Sequence, residues 1–166
     1  MAMDQFNEGR KQRIRDMKAT YENRTVDFYY RNDKGGRAGL GCSPHLHYHV
    51  EILYMISGVT DAYIDSEHYV VEPGDMLVVF PNKIHRFADR QKGNRYKLFI
   101  INPNLVPELE MELNSFAPTL PIIRRAVDNK RLETVMEIIS CTREFPDSQK
   151  DILMKGYLLS FFAEFM

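Results

Sequence analysis

Gly39-Leu-Gly-Cys-Ser-Pro-His45-Leu-His47-Tyr-His49-Val-Glu51-Ile-Leu-Tyr54-Met-Ile-Ser-Gly58 is the stretch from which the rest of the chain can be read. Three imidazoles and one carboxylate crowd the segment from His45 to Glu51, and an apolar run of strand character follows at once. Successive side chains of an extended strand point to opposite faces, so His45, His47 and Glu51, all at odd positions, share one side. His49 has the same parity and is an alternative ligand, although an extra histidine beside such a cluster is commonly an ordinary strand residue. A fourth candidate, His85, arrives in a later apolar run. Imidazole nitrogens with one carboxylate oxygen suit a divalent transition metal (Zn, Ni, Mn or Fe). They equally suit a pocket that binds a polar organic ligand by hydrogen bonds and holds no ion.

The spacing resembles the first cupin motif, G-x5-H-x-H-x3,4-E-x6-G, with Gly39, His45, His47, Glu51 and Gly58 at its fixed positions. The second cupin motif, G-x5-P-x-G-x2-H-x3-N, is matched in part. Gly74 and His85 stand at its separation, Pro81 comes one place late, the inner glycine falls on Lys83 or Asn82, and the terminal asparagine is Asp89. This resemblance implies a cupin-type antiparallel β-barrel, a double-stranded β-helix, with His45, His47, Glu51 and His85 converging inside it.

Outward from the motif, residues 25–103 read as the barrel. Short β-branched or aromatic runs at 25–31, 47–57, 60–65, 68–71, 76–80, 84–88 and 96–101 alternate with turn chemistry such as Asn32-Asp33-Lys34-Gly35-Gly36, Pro73-Gly74-Asp75 and Lys92-Gly93-Asn94. The runs 52–56 and 76–80 are apolar on both faces, which suits a barrel wall whose outside is itself covered. After Asn104 the apolar period lengthens, and helices are expected over 106–116, 130–142 and from about Gln149 onward, with Asp128-Asn129 as a start signal. Residues 104–166 are read as a helical dimerisation segment. So many large side chains lie on residues 152–166 that one face cannot bury them all, and Leu158 and Phe162 are expected at a self-association surface. Residues 1–24, polar and rich in Arg and Lys, are read as an arm or short helix with Phe6, Ile14 and Met17 as its apolar points. The last helix meets Met166 with no terminal Gly, Pro or basic turn, so the natural protein is expected to continue.

Composition narrows the function classes. At 166 residues, 44% hydrophobic, the chain suits one domain with a sizeable core. A net charge of −1 provides no electrostatic reason to bind nucleic acid or an anionic membrane. The two cysteines, Cys42 and Cys141, form neither a disulfide framework nor a zinc pair, so a reducing, cytoplasmic setting is expected. No apolar run approaches the ~20 residues of a membrane span, and the N-terminus lacks the apolar centre of a signal peptide.

Tyr54 and Phe87 are candidate ligand-stacking residues inside the barrel, as are Tyr29, Tyr30 and Tyr63, although aromatics at strand spacing serve a core equally well. His68, in a hairpin beside Glu67, is expected to face solvent. Arg86 is expected to bond to a turn or to an acidic effector. Cys42, just before the histidines, has nothing nearby in sequence to lower its pKa. No nucleophile–base set or phosphate loop stands out.

The wording from Pro44 to Gly58, from Tyr63 to Asp65 and from Pro73 to Phe87, with barrel followed by helices, looks like the N-terminal sensing domain of AraC-type transcription regulators. That resemblance implies a barrel that binds a small effector such as a sugar or organic acid, helices that mediate homodimerisation, and no catalysis. It also implies that DNA is reached only through a further domain with helix-turn-helix motifs, which these residues do not include; residues 118–166 hold equal numbers of acidic and basic side chains. The competing reading is a stand-alone metal-dependent cupin enzyme of dioxygenase or isomerase type. The long helical stretch after the barrel favours the sensor, since a fold alone does not decide function.

Overall fold

Strand alternation sets the architecture seen in a computed structural model, which describes residues 18–36, 39–115, 120–144 and 146–165. The strands are β1 (Thr20–Tyr21), β2 (Phe28–Lys34), β3 (His45–Leu46), β4 (Val50–Ser57), β5 (Thr60–Ile64), β6 (Glu67–Val71), β7 (Met76–Val79), β8 (His85–Asp89), β9 (Arg95–Ile101) and β10 (Ile122–Ile123). Three α-helices follow the barrel strands: α1 (Glu110–Ser115), α2 (Lys130–Ser140) and α3 (Asp147–Phe165). Two five-stranded sheets result, ordered β1-β3-β8-β5-β6 and β10-β7-β4-β9-β2. The β1–β3 pair is parallel, and the other ladders are antiparallel.

The two sheets enclose one apolar layer and the helices enclose a second. Along β4, Leu53 and Met55 look inward, where they meet Leu77, Val79, Leu98 and Phe87. Val50 and Ile52 look outward, with Met76, Val78 and Phe99, onto Leu132 and Met136 of α2 and onto Leu158, Phe161 and Phe162 of α3. The runs that are apolar on both faces are thus the wall between two cores, as their composition demands. Asn129 starts α2 by accepting from the backbone N–H groups of Arg131 and Leu132, both at 3.1 Å. Gly58 closes the β4–β5 turn at φ 90°, where a Cβ would also collide with Asn94.

Several boundaries differ from those the sequence suggests. The strand expected over 47–57 is interrupted between Leu46 and Val50, and the one expected at 25–31 runs from Phe28 to Lys34, paired along its length with β9. The helix expected over 106–116 begins with two 3₁₀ turns, Pro103–Leu105 and Pro107–Leu109, each opened by a proline that suits a first helical position. Two strands lie outside the expected barrel limits of 25–103. β1 falls in the segment read as an arm or helix, and β10 follows Pro121 and pairs with β7. Each is two residues long, too short for a period to show in sequence. The remainder of the expected N-terminal helix, with Phe6, Ile14 and Met17, lies outside the described residues.

Leu158 and Phe162 also require correction as surface residues: they are 0% and 1% exposed, because α3 lays them on the outer wall of the barrel. On the same helix Ile152 is 77% exposed. Phe99→Ala, which empties a site between wall and helices, is expected to lower unfolding free energy by about 3–5 kcal/mol. Ile152→Ala should change it by less than about 0.5 kcal/mol. Urea denaturation followed by circular dichroism checks both.

Candidate metal centre and ligand pocket

The histidines reach one point because the strands carrying them are neighbours. His45 on β3 is the direct cross-strand partner of His85 on β8, and Ile64 of β5 flanks His85 on its other side. Glu51 comes from β4 in the facing sheet, on the same inward side as Leu53 and Met55. His47 sits in the break between β3 and β4, where its carbonyl accepts the backbone N–H of Asn82 at 2.8 Å. One ligand atom from each of His45, His47, Glu51 and His85 lies within 4.8 Å of all the others. Three of the four residues are buried, and His45 is half-buried.

Backbone carbonyls set the orientation of each ring. Nδ1 of His45 lies 2.9 Å from the Ser43 carbonyl, Nδ1 of His47 lies 3.0 Å from that of His49, and Nδ1 of His85 lies 2.9 Å from that of Lys83. A carbonyl can only accept, so each Nδ1 carries a hydrogen and donates it. In the neutral ring Nε2 is then the atom with the free lone pair. Nε2 of His47 and His85 face Oε2 of Glu51 at 3.2 Å and 3.6 Å. Lone pairs opposed to a carboxylate repel, so a cation belongs between them, whether a proton or a metal ion.

The titration tendencies agree with that demand. Burial pushes the Glu51 carboxyl up, but the imidazoles of His47 and His85 outweigh it and hold the group well below the usual carboxylate range. Burial depresses His85, yet the Glu51 carboxylate and the Lys83 carbonyl more than offset it and leave the ring above its ordinary value. His45 is lowered, chiefly by burial and then by the neighbouring His85. Nε2 of His85 is buried without a hydrogen-bond partner. A buried nitrogen of this kind needs an occupant, and a divalent ion held by three imidazoles and a carboxylate fits the donor set.

A cavity of about 560 Å³ opens from this centre, with His45 and Glu51 in its lining. Leu40, Phe87, Leu98 and Ile100 supply apolar wall, and Arg24 and Arg31 supply charge. Tyr96 also lines it; its hydroxyl donates to the Gly39 carbonyl at 3.3 Å, and burial pushes its pKa up to about 12. The second motif resolves in favour of Asn82 as the stand-in for its glycine, because Asn82 takes φ 62°, the left-handed region that asparagine tolerates. Asp89, at the motif's asparagine, accepts from the backbone N–H of Leu40 at 2.7 Å and from the Asn94 side chain at 2.8 Å. Gly39 approaches that carboxylate so closely that a Cβ would clash with it.

The structure brings Phe87 to the cavity but not Tyr54. Tyr54 has the opposite parity from Glu51 on β4, so it faces the helices, beside Lys97, Glu133 and Glu137. Tyr30 also leaves the pocket and stacks on Phe99 of the outer core at 4.8 Å, while Tyr29 is exposed. Tyr63 stands on the outer face of its sheet between the Arg86 guanidinium, 3.8 Å from the ring centre, and the ring of His68. Arg86 therefore meets an aromatic face. His68 is exposed. His49 is buried outside the cluster, and its Nε2 donates to the Val26 carbonyl at 2.9 Å.

Sequence reasoning missed Glu22, Arg24, Arg31 and Tyr96. The first two lie in a segment whose charge reads as solvated arm, and only the pairing of β1 with β3 folds them over the cavity mouth. Glu22 then stands with Oε2 3.7 Å from Nε2 of His45. Arg31 alternates with Tyr30 along β2, a parity signal that could have placed it inward.

A two-sheet barrel with a buried three-histidine, one-carboxylate cluster beside a cavity is the architecture of a cupin-type ligand-binding domain. The family model for the AraC-like ligand binding domain matches residues 35–155, and the chain belongs to that family. Among solved structures, apo ToxT from Vibrio cholerae strain SCE256 is similar at a TM-score of 0.55 and 10% identity, covering 87% of this chain and 57% of that one. Another ToxT structure from Vibrio cholerae gives 0.50 at 13% identity, over 84% of this chain and 56% of that one. At such identity the likeness concerns fold, and the chain spans a little over half the length of the ToxT chains it matches. No curated protein matches the sequence. Among the described residues no helix is long and apolar enough to cross a membrane.

Cys42 lines the cavity and its Sγ accepts the backbone N–H of Phe87 at 3.4 Å. Burial raises its pKa, and the Phe87 N–H pulls it back only in part, so little thiolate forms near neutrality. Iodoacetamide at pH 7.5 should label Cys42 more slowly than an unstructured cysteine peptide, with the rate still climbing above pH 9, as read by mass spectrometry of the digested protein.

Proposed function

We propose that the chain is the effector-sensing module of an AraC-type transcription regulator, with a divalent transition metal held by His45, His47, Glu51 and His85 beside the effector. The reading rests on membership of the ligand-binding family and on one observation: three Nδ1–H groups spent on carbonyls, which commit three Nε2 atoms to the same buried centre as Glu51. A bound ion there would be held by these four residues and would offer Lewis acidity to an effector hydroxyl or carboxylate. The residues of the chain do the rest: carbonyls hold the rings, Glu51 balances charge, and Phe87 with its apolar neighbours excludes water.

Signal transfer would use the wall shared by pocket and helices. Glu51 and Ile52 are consecutive on β4, one facing the centre and the other the core under α2 and α3. Lys97 on β9, between the pocket residues Tyr96 and Leu98, is paired with Glu137 of α2. An effector that binds one arrangement of this wall better than another shifts the helices with it. The helices would then carry the change to a homodimer partner, and DNA would be contacted by a domain outside these residues. Ile152, exposed on α3, is the position to test for the dimer.

A second reading, a metal-dependent small cupin enzyme, draws on the same donor set beside a cavity of substrate size. Elemental analysis of tag-free protein should find about one divalent ion per chain, lost in His47→Ala and in His85→Ala. A low metal content that those variants leave unchanged would retire the metal centre and keep a hydrogen-bonding pocket. Turnover of a small substrate that vanishes in the same variants would promote the enzyme. Ile152→Asp is expected to weaken self-association in sedimentation without loss of fold, whereas a wild-type protein monomeric at high concentration would remove the dimer.

A further inference from the structure

Glu22 stands at the cavity mouth with no task in a four-residue metal centre, and strand register sets where it points. β1 pairs with β3 in parallel, Thr20 beside His45 and Tyr21 beside Leu46. Alternation puts Glu22 on the side of Thr20, and so on the side to which His45 turns, while Tyr21 on the other side is 57% exposed. Two backbone bonds hold this register: the N–H of Thr20 donates to the Pro44 carbonyl at 3.2 Å, and that of Glu22 donates to the Leu46 carbonyl at 2.9 Å. The carboxylate thus arrives from the mouth, with Oε2 3.7 Å from Nε2 of His45.

Nε2 is the atom that His45 keeps for an ion, because its Nδ1 donates to the Ser43 carbonyl. A lone pair and a carboxylate oxygen that face each other across such a gap repel, and a shared cation removes the repulsion. Two donors held about 2.1 Å from one ion stand no more than about 4.2 Å apart, so the observed separation suits a common ion. His45, His47, Glu51 and His85 form the cluster proper, and Glu22 meets it at His45, its most exposed member.

Arg24 adds a second observation. One of its terminal nitrogens donates to the same oxygen of Glu22 at 2.8 Å. Carboxylates that bind metals are commonly oriented by an outer hydrogen bond of this kind. The partner stands two residues along the chain, as do the carbonyls of Ser43, His49 and Lys83 that hold the three imidazoles. With an ion bound, charge alternates from the mouth inward: the Arg24 guanidinium, Glu22, the ion and Glu51.

We infer that Glu22 is a fifth protein donor to the metal centre, supplied by β1 and oriented by Arg24. The inference rests on the metal-centre reading and extends its ligand set to a residue outside the two motifs. An ion shared by Glu22 and His45 ties β1 to β3, which are otherwise joined over two residue pairs. Metal loading then orders the segment 20–24 that lines the cavity mouth.

Cobalt(II) is the probe, since its absorption band reports the donors around it. Wild type and Glu22→Gln are titrated with cobalt(II) against a competing chelator, and the loaded proteins are compared by absorption and by hydrogen exchange. Glutamine keeps the shape and can still accept from Arg24, but it lacks the anionic oxygen. The variant should bind cobalt about tenfold or more weakly and show an altered band, with an unchanged circular dichroism spectrum. That loss should persist at about 0.5 M salt, where a charge acting through solvent is screened. Arg24→Ala, which frees the carboxylate without removing it, should give a smaller loss. Loading should slow exchange at residues 20–24 in the wild type; no slowing there would overturn the inference whatever the variants do. Equal affinities with an unchanged band, or a loss that disappears in salt, would also overturn it while the four-residue centre stands. Failure of the wild type to load cobalt would instead remove the centre, and this inference with it.

Discussion

A carboxylate taken out of water must be met by positive charge or by strong donors, and much of this molecule can be read as the answer to that demand at Glu51. Its side chain is buried in the layer between the two sheets, where an unpaired charge is very costly. The chain meets it with imidazoles. Each ring is turned by a backbone carbonyl two residues from its own position, at Ser43, His49 or Lys83. Local backbone shape thus becomes ring orientation. The break in strand geometry after Leu46, the left-handed Asn82 and the close approach of Gly39 to Asp89 hold these loops in the shape that presents those carbonyls.

The second constraint is that one sheet serves two cores. Its strands carry apolar side chains on both faces, so neither face can move without repacking the other. Inward they line the pocket, and outward they receive α2 and α3. This geometry suits a sensor better than a free-standing barrel, because occupancy on one side is felt as packing on the other. It also accounts for the large apolar side chains of α3: the side holding Leu158, Phe161 and Phe162 is spent on the barrel, while Ile152 is left to solvent beside Asp151, Gly156 and Ser160.

Much of the fold was legible in the chain. The metal-type donor set could be read because its members are close in sequence and share a parity, and the change from barrel to helix could be read because the period changes near Asn104. The aromatic assignments divided for a physical reason. Phe87 and Tyr54 lie on strands that are buried on both sides, and an alternating pattern separates two faces without saying which of them meets the ligand. Parity relative to Glu51 decides it: Tyr54 is three positions on, hence on the other face. The same blindness put Leu158 and Phe162 at a surface, since a helix whose large apolar residues are spread over more than one face carries little mark of which side the barrel takes.

The sequence alone determined the order of the longer barrel strands and of the helices after them, the grouping of His45, His47, Glu51 and His85, and the family to which the chain belongs, because each is written in local pattern and spacing. Contacts between distant positions were decided by tertiary structure. The pairing of Thr20 with His45 folds Glu22 and Arg24 over the cavity, and the pairing of Ile122 with Leu77 adds a strand from beyond the barrel. Two-residue strands have no period of their own and form only where a neighbouring edge offers unpaired backbone groups. That physical dependence on a partner is why the mouth of the pocket emerged from the fold, while the histidine–glutamate cluster that could hold a metal was already plain in the chain.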